Sequence, residues 1–391
     1  MKKVLSIAIV LCMLVAVVGC SSTPAQSAAA SSAAPASEAA SAAPASSTAA
    51  SAAPADGGAG AAKSISGKTV AFIPKVTGNS FFEAANAGAQ KYAQQWGITV
   101  KYMGSATASV TDQLEVIQQA IDAGVDAIAI SSVDAKALDE KLQEAQKEGI
   151  VVCTWDSDVS ADSRSLMVSQ GTPDILGKML ADMGADSLKA RGVDPSGPVK
   201  YIWHYSQANV ADQNSWYVAG KAYIEKTYPN WVEVHSPYFS EQDPQKAVTV
   251  GESILEAYKD LDLIVCNDST ALPGQCQAAQ NKGLNKDKIT ITGFCTPSGM
   301  SNYLKADILE RWGLWDCGIQ GGLGCYFAAY LAAGNTVKAG DTVNVPGIGD
   351  CSVVANDALV QGAQTAASNN GVVLLPERVV FTKDNIDQYK F

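Results

Sequence analysis

Histidine is nearly absent from this chain, with only His204 and His235 among 391 residues. A histidine-based triad, a histidine general base and a His-x-x-x-His metal site are therefore poorly supplied. Both histidines lie in strand-like runs, which points to structural roles. Basic charge is also scarce: 28 Lys and Arg face 39 Asp and Glu, for a formal net charge of -11. No basic surface can dominate, which argues against a nucleic-acid partner or binding to an anionic membrane surface. No Cys-x-x-Cys pair occurs, so neither a zinc site nor a thioredoxin-like couple is expected. The nine cysteines instead favour apolar contexts, as at Cys153, Cys266 and Cys295, and are read as buried free thiols. A pairing of Cys317 or Cys325 with a distant cysteine stays open.

Phosphate-binding loops are missing as well. The first strand candidate is followed by Pro74-Lys75-Val76-Thr77-Gly78, not by a Gly-x-Gly-x-x-Gly turn. The stretch Gly171 to Met179 has one residue too many for a phosphate loop, and Met where Ser or Thr would hold magnesium. Neither a cofactor nor a metal is expected, and no catalytic residues are assigned.

What is present begins with a targeting segment. Lys2 and Lys3 precede an apolar run from Val4 to Val18, which is short of the roughly 20 residues a membrane span needs. Val17-Val18-Gly19-Cys20 resembles the bacterial lipobox, which implies lipidation of Cys20 and a membrane anchor. Residues 1–20 are thus read as a lipoprotein signal peptide. Residues 21–65 follow as a tether, because Ser21 to Ala62 is almost wholly Ala, Ser, Pro and Gly and cannot bury enough apolar surface to order itself. As a coil it would reach about 35 to 40 Å.

From Lys68 onward, short apolar runs alternate with amphipathic stretches, the pattern of βαβ units and parallel sheets. The strand candidates are Thr69 to Ile73, Thr99 to Met103, Ala127 to Ser131, Ile150 to Thr154, Leu166 to Ser169, Lys200 to His204, Val232 to His235, Leu263 to Asn267, Ile289 to Phe294 and Arg311 to Trp315. Gly97, Gly124, Gly149 and Gly283 punctuate the helices between them. Asp134 to Glu148 reads as a surface helix, with Asp134 as N-cap and Leu138, Leu142 and Ala145 on its buried face. Ten strands are too many for one comfortable doubly wound sheet. Two α/β lobes sharing a cleft are expected, and that cleft is the natural ligand site.

Polar residues recur at the C-terminal ends of these strands, where a parallel sheet opens onto its crevice. Lys75, Asp156, Asp268, Pro273 and Asp316 follow strand candidates, and the aromatics Phe81, Phe82, Trp155, Trp216 and Trp315 lie near them. Carboxylates that accept, an ammonium that donates and aromatic faces that cover C–H surface together suit a polyol.

At these residues the chain resembles the sugar-binding proteins of the periplasmic-binding-protein type I fold, and among them the Lsr-type autoinducer-2 receptors. The resemblance runs from about Val70 to Phe391. It is carried by IPK at Ile73 to Lys75, TWDSD at Thr154 to Asp158, SQGTP at Ser169 to Pro173, DQNSW at Asp212 to Trp216, ALPGQCQAAQ at Ala271 to Gln280, GLWD at Gly313 to Asp316 and the terminal LLPERVVFTKDNIDQYKF.

The resemblance implies two doubly wound parallel-sheet lobes joined by a hinge of about three crossovers, near Asp156 to Val159, Ala306 and Thr336. One lobe would take residues 66–157 and 306–336, the other 158–305 and 337–391. It further implies that Lys75 and Asp156 contact the ligand from one side and Asp212 and Gln213 from the other. Pro273 would contribute its backbone, and Gln275 stands where relatives carry alanine. Phe81, Phe82 and Trp315 complete the expected pocket. The implied ligand is the cyclic, tetrahydroxylated furan form of autoinducer-2, and the implied partner is an ABC transporter permease. Three rival readings remain. One is a binding protein for rhamnose or another deoxysugar or pentose, which the DQN motif disfavours. Another is an α/β enzyme, which lacks a nucleophile and base pair. The third is a sensor feeding a membrane kinase.

Overall fold

The computed structural model describes residues 62–359 and 371–391. Cys20, the targeting segment and nearly all of the tether lie outside the described residues. The end of the expected tether is already part of the folded body: Lys63 N donates to Asn335 Oδ1 at 2.7 Å, and Ile65 packs on the core.

The chain first lays down β1 (Thr69–Ile73), α1 (Ser80–Trp96), β2 (Thr99–Tyr102), α2 (Val110–Asp122), β3 (Ala127–Ile130), α3 (Asp139–Lys147), β4 (Val151–Trp155) and β5 (Leu166–Ser169). It then builds α4 (Pro173–Ala190), β6 (Val199–Tyr205), α5 (Ala211–Thr227), β7 (Trp231–Glu233), β8 (Tyr238–Phe239), α6 (Pro244–Ala257), β9 (Leu263–Cys266), α7 (Ala271–Asn281), β10 (Thr290–Gly293), α8 (Pro297–Lys305) and β11 (Trp312–Leu314). It closes with α9 (Cys317–Ala332), β12 (Thr342–Val345), β13 (Gly349–Val354), β14 (Val372–Leu374) and β15 (Val379–Phe381).

Two sheets result, one per lobe, as expected for the fold. The first has the order β12-β13-β14-β5-β4-β3-β1-β2, parallel from β14 to β2 and antiparallel at β12 and β13. The second has the order β10-β9-β6-β7, with β8 beside the end of β6, all parallel. β11 and β15 form an antiparallel pair, joined to the second lobe by a bridge from Gly313 to Phe294. Central strands such as β3 and β9 are buried at every residue, because helices cover both faces.

All ten expected strands are present, two with the expected bounds and eight with ends moved by a residue or two. Five strands were not anticipated: β8, β12, β13, β14 and β15. β8 has two residues, and β12 alternates exposed and buried positions, so neither forms a continuous apolar run. The helix expected from Asp134 begins only at Asp139. Asp134 instead closes a turn, accepting from Lys136 N and Ala137 N at 2.9 Å each. Leu138, Leu142 and Ala145 are buried together as anticipated. The helix-ending glycines Gly97, Gly124, Gly149 and Gly283 all take positive φ. The seven cysteines among the described residues, Cys317 and Cys325 included, are free and buried.

The lobe boundaries differ from the expected ones. β5 and the 342–374 strands belong to the first sheet, so the chain crosses between lobes at 170–172, 315–316 and 375–378, and not near Asp156, Ala306 and Thr336. An apolar strand carries no mark of which sheet it will join, and pairing alone decides it. The three crossovers are tied to one another. Arg378 donates from Nε to Gln170 O at 2.7 Å and from Nη2 to Leu375 O at 2.8 Å. Gln170 Oε1 accepts from Gln320 Nε2 at 2.8 Å, and Gln320 Oε1 accepts from Trp315 Nε1 at 2.6 Å. Replacing Arg378 by Met should therefore leave hinge carbonyls unpaired and cost about 2 kcal/mol of unfolding free energy in urea titrations. A loss below about 0.5 kcal/mol, the range of an ordinary surface substitution, would show that the hinge is held elsewhere.

Candidate functional site

Lys75 lies just past the end of β1 and is 3% exposed. Its ammonium donates to Asp156 Oδ2 at 2.8 Å and to both oxygens of Asp212, at 3.3 and 3.4 Å. Asp156 follows β4 directly, at a positive φ of 62°, and its Oδ2 also accepts from Ser131 Oγ at 2.7 Å. Asp212 is the second residue of α5, where the helix N-terminus favours negative charge. Lys75 and Asp156 stand on the first lobe and Asp212 on the second, so this ion pair crosses the cleft.

Behind Asp212 the polar chain continues through the second lobe. Gln213 Oε1 accepts from the backbone and hydroxyl of Ser206, while its Nε2 donates to Asp268 Oδ2 at 3.0 Å. Asp268 Oδ1 caps α7, accepting from Thr270 N and Ala271 N. Asn267 donates to Gln213 O at 2.7 Å and keeps its buried Oδ1 unpaired.

Lys75, Asp156, Asp212, Gln213, Asn267 and Asp268 line a small cavity together with Phe81, Phe82, Trp216, Phe294 and Trp315. The aromatic walls come from both lobes and from the 315–316 crossover. Phe81 meets Phe82 and Trp315 edge to face at 5.1 and 5.9 Å, and Trp216 meets Trp315 at 5.8 Å. Lys75 Nζ stands 6.0 Å from the Phe82 ring centroid, within reach of a cation–π contact. Further hydrogen bonds join the two lobes. Asn79 bonds Thr270 and Ser269 at 3.1 and 3.2 Å, and Ser80 accepts from Thr296 at 2.9 Å. Asn209 of the second lobe donates to Asp134 of the first at 2.6 Å. The lobes are closed in this structure.

A larger cleft lies alongside and shares Asp156, Asp212 and Trp216 with the cavity. It lacks Lys75 and the facing aromatic walls, so the smaller cavity is the candidate site.

The electrostatics follow from one ammonium set among three buried carboxylates. Burial by itself would pull the Lys75 ammonium down, but Asp156, Asp212 and Asp268 outweigh it and hold the group above its ordinary value. Burial pushes Asp212 up to about 6, against the attraction of Lys75 and with the repulsion of Asp156. Asp268 is raised by burial too, although its backbone donors oppose the shift. The site is rich in acceptors, and buried hydroxyl donors are what it can satisfy.

Of the residues singled out in the sequence, the fold brings Lys75, Phe81, Phe82, Asp156, Asp212, Gln213, Trp216, Asp268 and Trp315 around this cavity. Pro273 and Gln275 are not among its lining residues. They sit inside α7, past the strand end, and the helical turn carries the Gln275 side chain into the core of the lobe. There it meets His204 Nδ1 at 3.1 Å and Gly251 O at 3.5 Å. Asp316 is exposed and caps α9 through Ile319 N. His204 is fully buried and held neutral, its pKa pushed down to about 4 by burial, while His235 is exposed, past the end of β7, and stacks on Tyr238. The sequence reading missed Asn267, Ser269, Gln242, Phe294 and Leu314 as lining residues. The strand-end rule that selected Asp268 would also have selected Asn267 and Ser269, whereas nothing in the sequence marked Gln242.

Comparison with known proteins identifies the family. The family model described as periplasmic binding protein domain matches residues 70–336. The chain is 56% identical to the solved structure of LsrB from Clostridium saccharobutylicum in complex with AI-2, over 83% of this chain and 100% of that one, with a TM-score of 0.82. An ABC transporter solute binding protein from Clostridium phytofermentas with bound L-rhamnose is 24% identical over 82% of this chain and 98% of its own, with a TM-score of 0.72, a likeness of fold. The ribose import binding protein RbsB of Bacillus subtilis is 22% identical over 232 residues, 58% of this chain and 69% of its own length.

The raised pKa of Asp212 has a signed consequence for stability. A folded-state value of about 6 lies above the ordinary 3.8, so the stabilising contribution of this carboxyl is present below the lower value and lost as pH rises through about 6. Asp212→Asn should therefore unfold at higher urea than the ligand-stripped wild type at pH 7.5, by on the order of 2 kcal/mol, with the gap shrinking toward pH 5. An Asn variant that is less stable by the same amount at both pH values would contradict this account of the cluster.

Proposed function

Since the chain belongs to the periplasmic binding protein domain family, we propose that it captures autoinducer-2 outside the membrane and delivers it to an ABC importer. The observation that carries this reading is the 56% identity to the LsrB that binds AI-2, extending over the whole of that chain. The chemistry of the cavity is consistent with it. Asp156, Asp212 and Asp268 accept from hydroxyls, Lys75 donates, and Phe81, Phe82, Trp216 and Trp315 cover the apolar ring faces.

Binding proceeds by lobe closure. Asp156 and Lys75 approach from one lobe and Asp212 and Gln213 from the other, so a ligand that satisfies both sets favours the closed state by its differential affinity. The closed form is then the one that docks on the permease. Uptake of autoinducer-2 withdraws a quorum-sensing signal from the surroundings. The role is binding and delivery, not turnover.

The proposal includes the anchor. Lipidation of Cys20 would hold the folded body near the permease. Among the described residues no helix is long and apolar enough to cross a membrane. Cys20→Ser should move the protein out of the membrane fraction or leave the precursor unprocessed. Unchanged metabolic labelling with palmitate would remove the anchor from the proposal.

Calorimetry tests the ligand. Purified protein should bind autoinducer-2 more tightly than L-rhamnose or D-ribose. Asp156→Ala and Asp212→Ala should each weaken that binding at least about tenfold, because each removes an ionised acceptor worth about 1.5 to 3 kcal/mol per hydrogen bond. Tighter binding of either sugar, with autoinducer-2 indifferent to the Asp212 change, would replace autoinducer-2 by a sugar as the ligand.

A further inference from the structure

Among the described residues four non-glycine residues take positive φ: Asp156 at 62°, Glu241 at 54°, Gln242 at 57° and Asp307 at 55°. Asp307 lies on a turn away from the cavity and pairs with Lys383. Asp156 and Gln242 both line the cavity, and Glu241 is the neighbour of Gln242. Glu241 and Gln242 are the central residues of the turn from Ser240 to Asp243, closed by Asp243 N donating to Ser240 O at 3.0 Å. Two successive positive φ values are the backbone of a type I′ turn, which favours Asn-Gly; Glu-Gln is a costly occupant.

Such strain persists only where the surroundings impose it. Here Ser240 N and Glu241 N donate to Tyr205 O and Ser206 O at the end of β6, at 2.9 and 3.0 Å. On the other side Asp243 caps α6 through Gln245 N and Lys246 N, and Lys246 pairs with Glu241 at 2.6 Å. The turn is pinned at both ends, and what it delivers is one side chain. Gln242 is 7% exposed and lines the cavity, yet its amide makes no hydrogen bond among the described residues. Lys75, Asp156, Asp212, Gln213, Asn267, Asp268 and Ser269, the other polar residues of that lining, each make at least one side-chain hydrogen bond.

A nearly buried amide that lines the cavity and has no protein partner is free to bond a molecule held there. A primary amide both donates and accepts, and of the three that line the cavity Gln213 and Asn267 already bond within the protein whereas Gln242 does not. Resting on the reading of the cavity as a polyol site, we infer that Gln242 is a specificity-determining residue that hydrogen-bonds the ligand oxygen facing the second lobe. The strained turn is the means of placing it.

Two variants separate the possibilities, each titrated by calorimetry with autoinducer-2, L-rhamnose and D-ribose and melted without ligand. Gln242→Met keeps the bulk and the turn but neither donates nor accepts a conventional hydrogen bond. It should bind the preferred ligand about tenfold more weakly and narrow the preference over the other two. Gln242→Gly suits positive φ and should melt at higher temperature than wild type while losing affinity to a similar degree. Wild-type affinity in both variants would overturn the inference. So would loss in the glycine variant alone, which would assign Gln242 to bulk and not to hydrogen bonding. A wild type that prefers rhamnose or ribose would overturn autoinducer-2 as the ligand and leave the Gln242 comparison to be read with that sugar. Binding of none of the three would end both readings.

Discussion

The contact between Lys75 and its carboxylates is the constraint around which the two lobes are arranged. A lone ammonium this deeply buried would give up its proton, and three carboxylates this close would not all ionise without a cation. Each sign makes the other tolerable, but the match is incomplete. One ammonium among Asp156, Asp212 and Asp268 leaves acceptor oxygens without donors. A buried ion pair of this kind is weak evidence for stability. Its consequence is a cavity that hydroxyl donors complete, and because Asp212 reaches Lys75 across the cleft, completing it and closing the lobes are one event.

The hinge is joined to this cluster by a hydrogen bond. Gln170 sits in the first crossover and donates to the backbone oxygen of Asp156 at 3.1 Å. Gln320 links Gln170 to Trp315, which forms a wall of the cavity and stands on the second crossover. Arg378 ties in the third. Since Gln170 and Gln320 are buried, their amides have few alternatives to one another, and a change in lobe angle must exchange these bonds as a set. The structure thus connects the strand end that carries the cavity carboxylate Asp156 to each of the three crossovers.

Much of this was legible beforehand for a definite reason. Parallel strands covered on both faces read as continuous apolar runs, so the ten runs from Thr69 to Trp315 all became strands. The ends of such strands face a crevice, so Lys75, Asp156 and Asp268 could be picked out without knowing the fold. The same rule stops working where strands are short or half exposed, as in β8 and β12, and it cannot say which sheet receives a strand. Gln275 shows a further limit. A polar residue inside a helix points where the helical turn sends it, and the partner waiting there, His204, is 71 positions away in sequence.

The sequence by itself determined the α/β class, the two lobes with a cleft between them, the scarcity of catalytic machinery and the acceptor-rich character of the site, because each is written in local pattern or composition. Tertiary structure alone decided the pairing of Lys75 with Asp212 across lobes, the three crossovers and their Arg378 tie, and the place of Gln242. These depend on contacts between residues far apart in the chain, and for Gln242 on a turn whose conformation its own residues disfavour. Local propensity could not announce that turn, because the bonds from β6 and α6 impose it.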